Sequence, residues 1–420
     1  MRNQICLFST TLPDDLGVFH VHQVPTPFLP NLNHLVWTHQ LGPALVWPLL
    51  GPRLQSLHIP SIQWNSKSTP LFLSKIRGLC PELSSLTLQF YLLPACRAAT
   101  ESSISRVICS WKKLEVLDLS PAGSECILSF HVLSSLRVLS LRIDNSFDLD
   151  LPANSLSFPL LHTLRFQAIS LRTAYSLLQA MRSLPKSVEI SLLLHQPGDC
   201  GLELILCAIG QHTSCNILEE LRMNRDIIVN DFNVLRPLFL CCNLRVLRMT
   251  MTPHFVDDDL CAVASAWPQL EILELFGYHI PYMTIPSLDL PTVEELLPIP
   301  LPSNRIAKFT FHGLISLLRL CPNLRFFNLT IDATKLDGLQ GDKPGGGVCN
   351  RLVKRPRLVD SPINDPEAVA RILFDILPEL ETVCGEGFVP DRLGHQPLSP
   401  GWARVQEIIL ASKAARGLAT

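Results

Sequence analysis

The stretch Leu270-Glu-Ile-Leu273-Glu-Leu275 holds one apolar residue, a second three positions later and a third two positions after that. The chain repeats this phrase along much of its length. Other clear copies begin at Leu83, Leu114, Leu136, Leu161, Leu218, Leu244 and Leu324. Copies that follow one another directly begin about 22 to 31 residues apart, clustering near 26. Such a period indicates a repeat architecture whose units stack on their neighbours.

Each phrase has the pattern of a short strand, and the residues before it have the pattern of a helix. Successive side chains on a strand point to opposite faces, so the leucines face one side and the residues between them face the other. In residues 257–268, three aspartates precede apolar residues at helical spacing, and a proline ends the run. The period is typical of leucine-rich repeats. The sequence therefore predicts an α/β leucine-rich-repeat solenoid, a horseshoe with a concave parallel β-sheet and helices on its convex side.

We expect the solenoid to cover residues 28–388, with insertions at 278–304 and 334–360. The first insertion is rich in proline, and the second contains Gly-Gly-Gly and Lys-Arg-Pro-Arg runs. This basic run is typical of a solvated loop, and a nuclear import signal or a contact for an acidic partner are the alternatives. Residues 1–27 are expected to be an N-terminal segment, either a remnant or a cap. Residues 389–420 are expected to be a tail with a short helix.

The composition limits the classes of function. Hydrophobic residues make up 47% of the chain and charged residues 17%, which is enough apolar material for a continuous core and argues against disorder. The formal net charge of -2 provides no field suited to nucleic acid or an anionic membrane, so neither is expected as a partner. The chain shows no membrane-spanning or signal-like apolar stretch, and its 14 cysteines form no Cys-x-x-Cys pair. An intracellular location, cytoplasmic or nuclear, with buried reduced thiols follows.

No catalytic, cofactor or metal pattern stands out. Phosphate loops, dinucleotide-binding glycines, nucleophile elbows and zinc-ligand spacings are all missing from the sequence. His254 with Asp257, Asp258 and Asp259 could be drawn as an oxygen-rich metal site, but a capped helix start explains the aspartates more simply. We therefore expect a non-enzymatic protein with no cofactor, no metal and no small-molecule substrate. An enzyme with a dispersed active site is a third hypothesis, weaker than the two binding roles given below.

The residues between the last two apolar positions of each phrase form the candidate binding surface. They are Val36, His58, Thr87, Asp118, Ser140, Arg165, Ser191, Arg222, Arg248, Glu274 and Asn328, where Ser191 assumes the phrase Ser187-Val-Glu-Ile190-Ser-Leu192. Arg142 lies two positions beyond Ser140. We predict a basic stripe of Arg142, Arg165, Arg222 and Arg248, flanked by Asp118 and Glu274, that binds carboxylate or phosphate groups on a protein partner. The alternative is that these are ordinary solvated strand residues.

The C-terminal half carries a more specific resemblance. Two Cys/Trp-Pro-x-Leu junctions, at residues 267–270 and 321–324, and the segment Ser361-Pro-Ile-Asn-Asp365-Pro-Glu-Ala-Val369-Ala resemble the repeat region of F-box leucine-rich-repeat proteins of mushroom-forming (basidiomycete) fungi. The resemblance covers about residues 28–402. It implies a substrate-recognition subunit, in which an F-box binds a Skp adaptor of a cullin ubiquitin ligase (an SCF-type ligase) and the repeats hold the target.

The chain carries no recognisable F-box. The run Leu12-Pro13-Asp14-Asp15-Leu16 is only a faint echo of one, and the repeats begin by Leu32. A Skp adaptor is therefore expected as a partner only if an F-box lies upstream, as it would if this chain came from a truncated gene. Two hypotheses follow: a target-recognition component of a ubiquitin ligase, and a free-standing repeat scaffold with no ligase connection.

Overall fold

The computed structural model describes the chain in segments. They are residues 4–7, 27, 29–37, 46–63, 68–91, 97–143, 149, 151–192, 201–227, 232–251, 256–275, 309–341, 343–358, 361–383 and 399–417. The proline-rich insertion at 278–304, most of the N-terminal segment with its Leu12–Leu16 run, and residues 389–398 lie outside this part. The described chain forms two compact units, Met1–Ser214 and Cys215–Thr420.

The first unit is a parallel sheet backed by helices. Its described strands are β1 (Gln4–Leu7), β2 (His34–Trp37), β3 (Ser56–Gln63), β4 (Ser85–Tyr91), β5 (Val116–Ser120), β6 (Val138–Arg142), β7 (Thr163–Ala168) and β8 (Ser187–Leu192). Its described helices are α1 (Ser68–Leu79), α2 (Arg97–Ile108), α3 (Ser124–Ser129), α4 (Leu171–Ala180) and α5 (Gly201–Gly210), with 3₁₀ turns at Trp47–Leu49 and Phe130–Val132. Each strand pairs in parallel with the next in chain order.

The second unit repeats the plan. Its described strands are β9 (Glu220–Ile227), β10 (Val246–Met251), β11 (Ile272–Leu275) and β12 (Phe326–Asn328), again parallel and in chain order. Its helices are α6 (Asp257–Ala266), α7 (Phe311–Leu320), α8 (Pro366–Ile376) and α9 (Pro400–Gly417), with 3₁₀ turns at Cys215–Ile217 and Phe232–Leu240. Helix α6 packs on α7, and α8 packs on α9. The predicted α/β leucine-rich-repeat class is thereby confirmed.

Buried and exposed side chains alternate along the strands, and the buried ones hold each sheet to its helices. In β5, Leu117 and Leu119 are almost fully buried, whereas Val116 before them and Asp118 between them are partly exposed. The same alternation occurs in β6 and β8. Burying a leucine contributes about 1.5–3 kcal/mol relative to leaving it exposed, so the leucine positions account for most of the cohesion between sheet and helices.

In two repeats a buried tryptophan lies at the turn between helix and strand. Trp111 and Trp267 are fully buried. The Trp111 indole N–H donates to the carbonyl of Cys80 at 2.9 Å, and that of Trp267 donates to the carbonyl of Leu238 at 3.2 Å. Each bond links one repeat to the preceding repeat, and each satisfies a polar group that would otherwise be buried without a partner. The two tryptophans are thus packing residues.

The predicted insertion over residues 334–360 contains a further copy of the repeat. In Val353-Lys-Arg-Pro356-Arg-Leu358, the three phrase positions are buried, and Arg357 bridges in parallel to Asn328 of β12. The interpretation of this basic run as a solvated loop is therefore wrong. The sequence does not reveal this repeat, because valine and proline replace two of the phrase leucines and a glycine run precedes them.

That glycine run is a tight turn against α8. Gly346 and Gly347 have positive φ angles of 56° and 84°, which residues with a Cβ rarely adopt. The amide of Gly345 donates to the Asp375 carboxylate at 2.7 Å, and a Cβ on Gly345 would lie only 2.4 Å from a methyl group of Ile376. The glycines therefore allow the chain to approach the helix closely.

The Ser-Pro-Ile-Asn-Asp-Pro segment fastens the C-terminal helices. The Ser361 hydroxyl accepts from the amide of Ile331 at 2.9 Å, and its carbonyl accepts from the indole N–H of Trp402 at 2.6 Å. Asp365 caps α8 by accepting from the amide of Ala368 at 2.9 Å. The motif that carries the family resemblance has, in this chain, a structural role.

The Asn350 side chain joins residues 350–358 to the preceding repeat, so its substitution tests whether these residues form a repeat. Its side chain donates to the carbonyl of Leu324 at 3.0 Å and accepts from the amides of Leu352 and Val353 at 2.8 and 3.0 Å. Since Asn350→Ala leaves these buried backbone groups without partners, we expect it to lower the free energy of unfolding of the second unit by about 2–4 kcal/mol, as measured by urea denaturation.

Asn323→Ala is the matched control, because this side chain is exposed and, among the described residues, hydrogen-bonds to Gln269 alone. We expect it to change the free energy of unfolding by less than about 0.5 kcal/mol. Equal losses in the two variants would contradict the assignment of residues 350–358 to the repeat array.

Candidate functional site

The residues between the phrase leucines form one row on the outward face of each unit's sheet. In the first unit this row, the first-unit row, is His58, Thr87, Asp118, Ser140, Arg165 and Glu189, each in register with the next. Neighbouring strands of a sheet lie about 4.8 Å apart, so side chains on successive strands touch and charges two strands apart still interact.

Glu189, not Ser191, occupies the row on β8. Strand pairing places Val188 opposite Leu164 and Glu189 opposite Arg165, so the apolar phrase positions on β8 are Pro185, Val188 and Ile190. The predicted assignment of Ser191 was wrong by two positions, because Pro185 in the first phrase position conceals the register. The consequence is chemical: the Arg165 guanidinium lies 3.3 Å from the Glu189 carboxylate and is paired with it.

Asp118 lies in the middle of the first-unit row, half-buried. Burial raises the pKa of the Asp118 carboxyl above its ordinary value, and the charges of His58 and Arg165, each two strands away, partly offset this increase. The structure thus brings Asp118 and Arg165 into one electrostatic group. The row carries charges of both signs and has no uniform basic character.

Arg142 does not belong to the first-unit row. It is exposed at the end of β6, opposite Gln167, two residues beyond Ser140. Its guanidinium forms no ion pair with any residue of the described chain, and it lies toward the C-terminal edge of the sheet.

The second-unit row consists of Arg222, Arg248, Glu274, Asn328 and Arg357. Two of the three arginines are paired with carboxylates. A guanidinium nitrogen of Arg222 lies 3.1 Å from the carboxylate of Glu220 on its own strand, and Nε of Arg248 lies 3.5 Å from the carboxylate of Glu274 on the neighbouring strand. Instead of a basic stripe, this face carries an alternating set of charges.

Asn328 and Arg357 are the members of this row whose side chains form neither an ion pair nor a hydrogen bond among the described residues. Oδ1 of Asn328 and Nε of Arg357 are buried and have no hydrogen-bond partner. The Arg357 guanidinium lies 6.0 Å from the centre of the Phe326 ring. The sequence places Asn328 among the outward residues, and it places Arg357 in the basic run for which a contact with an acidic partner is one alternative.

A second set of charges runs along the strand-entry edge of the second unit. Arg245 pairs with Glu271 and lies 3.9 Å from Glu219, and Arg325 lies 3.9 Å from the other oxygen of Glu271. Solvent screens these exposed pairs, so each contributes little to stability. They fix neighbouring repeats in register and leave no unpaired charge for a ligand among these four residues.

Two of the aspartates considered for metal binding have other partners. The Asp257 carboxylate accepts from the amide and the hydroxyl of Thr310 at 2.7 and 2.9 Å, which links α6 to the start of α7. The Asp259 carboxylate caps α6 by accepting from the amide of Val256 at 3.0 Å. His254 lies outside the described residues. Over the described segments, no group of three or more His, Cys, Asp or Glu side chains is placed to hold a metal ion.

The buried thiols are held in their protonated form. Burial raises the pKa of Cys80 to about 11 and those of Cys241 and Cys321 to about 12. Because the thiolate is the reactive form, these three cysteines are poor nucleophiles at neutral pH. None of the helices in the described ranges is both long and apolar enough to cross a bilayer.

Comparison with known proteins adds little. No protein-family model matches the chain, and no curated protein matches it at a significant level. Among solved structures, a TLR13–ssRNA13 complex is similar at 14% identity and a TM-score of 0.36, over 85% of this chain and 49% of that chain. The chain thus spans about half the length of that protein. A likeness at this level carries no information about the partner of this chain.

The raised pKa of Asp118 leads to a prediction about stability. A carboxyl whose folded pKa exceeds its unfolded value binds its proton more tightly in the folded state, so its ionisation destabilises the fold as pH rises between the two values. We expect Asp118→Asn to raise the urea midpoint at pH 7, and the gain to shrink as pH falls to about 3, below the ordinary Asp pKa of 3.8.

Glu115→Gln is the control, since Glu115 is an exposed carboxylate on the approach to the same strand and pairs only at 3.7 Å with Arg137. We expect it to change the midpoint little. A lower midpoint for Asp118→Asn at pH 7 would show that Asp118 stabilises the fold through its partners, against this interpretation.

Proposed function

We propose that this protein is a non-enzymatic binding protein that recognises a protein partner with the outward faces of its sheets. The observation that supports this most is the row of polar side chains presented by successive strands, most of which serve no purpose in the core. A row of Arg, Glu, Asp and His at strand spacing offers many separate charge contacts to a complementary surface, which favours specificity over tight nonspecific binding.

The finer proposal, from the family resemblance, is that the partner is a target of a ubiquitin ligase and that this chain is the recognition component. The Ser361–Ala370 segment and the Cys-Pro-x-Leu junctions support it. The alternative is a free-standing interaction scaffold without a ligase connection. A cytoplasmic or nuclear location fits either role.

A charge-reversal experiment tests the binding face. We expect Arg222→Glu together with Arg248→Glu to weaken partner retention at least about tenfold, because the added carboxylates face Glu220 and Glu274 and reverse the local field. The measurement is quantitative mass spectrometry of proteins retained by the immobilised full chain.

The matched control is Arg319→Glu together with Arg371→Glu, since both arginines are exposed on helices α7 and α8. Partners lost with the sheet variant and kept with the helix variant support the proposal. Partners kept by the sheet variant and lost with the helix variant would place the binding surface on the helices.

Mixing the purified chain with a purified Skp adaptor separates the two finer alternatives. Co-elution in size-exclusion chromatography supports the ligase role. No co-elution leaves the scaffold alternative for this chain, and the charge-reversal result is unaffected by either outcome.

A further inference from the structure

We propose that Asn328 and Arg357 form an anchor for one extended residue of an acidic peptide segment on the partner. This anchor rests on the proposed function and specifies where on the second-unit row the partner is held and what chemistry it presents.

Asn328 and Arg357 are paired in register, and the backbone of Arg357 both donates to the carbonyl of Phe327 at 2.8 Å and accepts from the amide of Leu329 at 3.0 Å. The backbone therefore fixes both residues beside each other on the outward face, about one strand spacing apart.

Arg357 and Asn328 place an unused donor beside an unused acceptor. Asn328 is 5% exposed, and its Oδ1 has no donor. Nε of Arg357 is a buried N–H with no acceptor. Nε of Arg222 and Nε of Arg248 are also buried without a hydrogen-bond partner, but these two guanidinium groups already lie beside carboxylates. A ligand that supplies both partners at Asn328 and Arg357 therefore gains more than one at the ion-paired positions of the row.

An extended peptide has the shape to supply partners to both Asn328 and Arg357. In an extended peptide, the N–H and C=O of one residue point to the same side, as they do in the hydrogen-bonded pairs of antiparallel sheets. The N–H would donate to Oδ1 of Asn328, and the C=O would accept from Nε–H of Arg357. One residue of an extended peptide therefore satisfies both groups.

The charge of Arg357 favours an acidic ligand. The second-unit row has three arginines, and Glu220 and Glu274 pair with Arg222 and Arg248. Within the described residues, Arg357 has no carboxylate partner. The terminal nitrogens of its guanidinium would bind a side-chain Asp or Glu of the peptide in a fork geometry.

The apolar strip beside the anchor completes the site. Phe326 and Ile272 are half-buried and lie in register two residues before Asn328 and Glu274, and the next residue in register, Val246 on β10, is buried. A peptide with an acidic residue next to an apolar one would place the apolar side chain on this strip.

The test begins with selection of a random twelve-residue display library on the immobilised full chain. Selected peptides are then synthesised, and their dissociation constants are measured by fluorescence anisotropy. We expect the selected set to be enriched in Asp or Glu next to an apolar residue. We expect Arg357→Gln and Asn328→Leu each to weaken binding at least about tenfold, while Arg371→Gln on α8 changes it less than twofold.

A stability measurement separates binding from folding. Asn328→Leu replaces an unpartnered acceptor by an apolar group of similar size, so the urea midpoint should stay the same or rise while peptide binding falls. A lower midpoint would show that Asn328 has a structural partner and would overturn the anchor.

Other outcomes also decide. Peptides that bind equally well to Arg357→Gln and Asn328→Leu but not to the Arg222→Glu, Arg248→Glu variant would overturn the anchor and leave the proposed function standing. The same conclusion would follow if no peptide were recovered while protein partners still depended on Arg222 and Arg248. Arg357-dependent binding of a random single-stranded RNA pool, without acidic peptides, would overturn both proposals.

Discussion

The alternation of side chains along parallel strands held in register is the constraint on which the rest of the structure depends. Because Leu117, Leu139 and Leu164 all enter the core, the residues that follow them all face outward, one strand spacing apart. A one-residue slip would place leucines in solvent and charges in the core, so burial fixes the register. The outward rows follow from the core and require no further interaction to form.

Proximity in these rows changes what the arginines can do. Arg165 with Glu189 and Arg248 with Glu274 are each opposite one another in register, and both pairs come within 3.5 Å. Their charges are largely used within the protein, so a partner must compete with an internal carboxylate. The Asn328–Arg357 position has no such competitor among the described residues, which is why it, and not the arginines with the clearest sequence pattern, is proposed as the anchor.

The sequence predicted the fold class and the outward position of Asp118, Arg165, Arg222, Arg248 and Glu274, because periodic leucines specify both. It misplaced the register of the repeat with Pro185 in a phrase position and did not reveal the repeat with Pro356 in one. The first error hid Glu189 as the partner of Arg165, and the second kept Arg357 out of the predicted outward row. Ion pairs across strands depend on which residues lie opposite one another, and register at a degenerate repeat is set by the neighbouring strands, which a pattern of single residues does not contain.

Hydroxyl-radical footprinting of the full chain with and without a bound selected peptide tests most directly whether the outward face is the binding surface. Ile272 and Phe326 on the outward face should lose reactivity on binding, whereas Leu320 and Leu410, which are exposed on α7 and α9, should not change. Protection of the helix leucines, with Ile272 and Phe326 unchanged, would contradict recognition by the sheet.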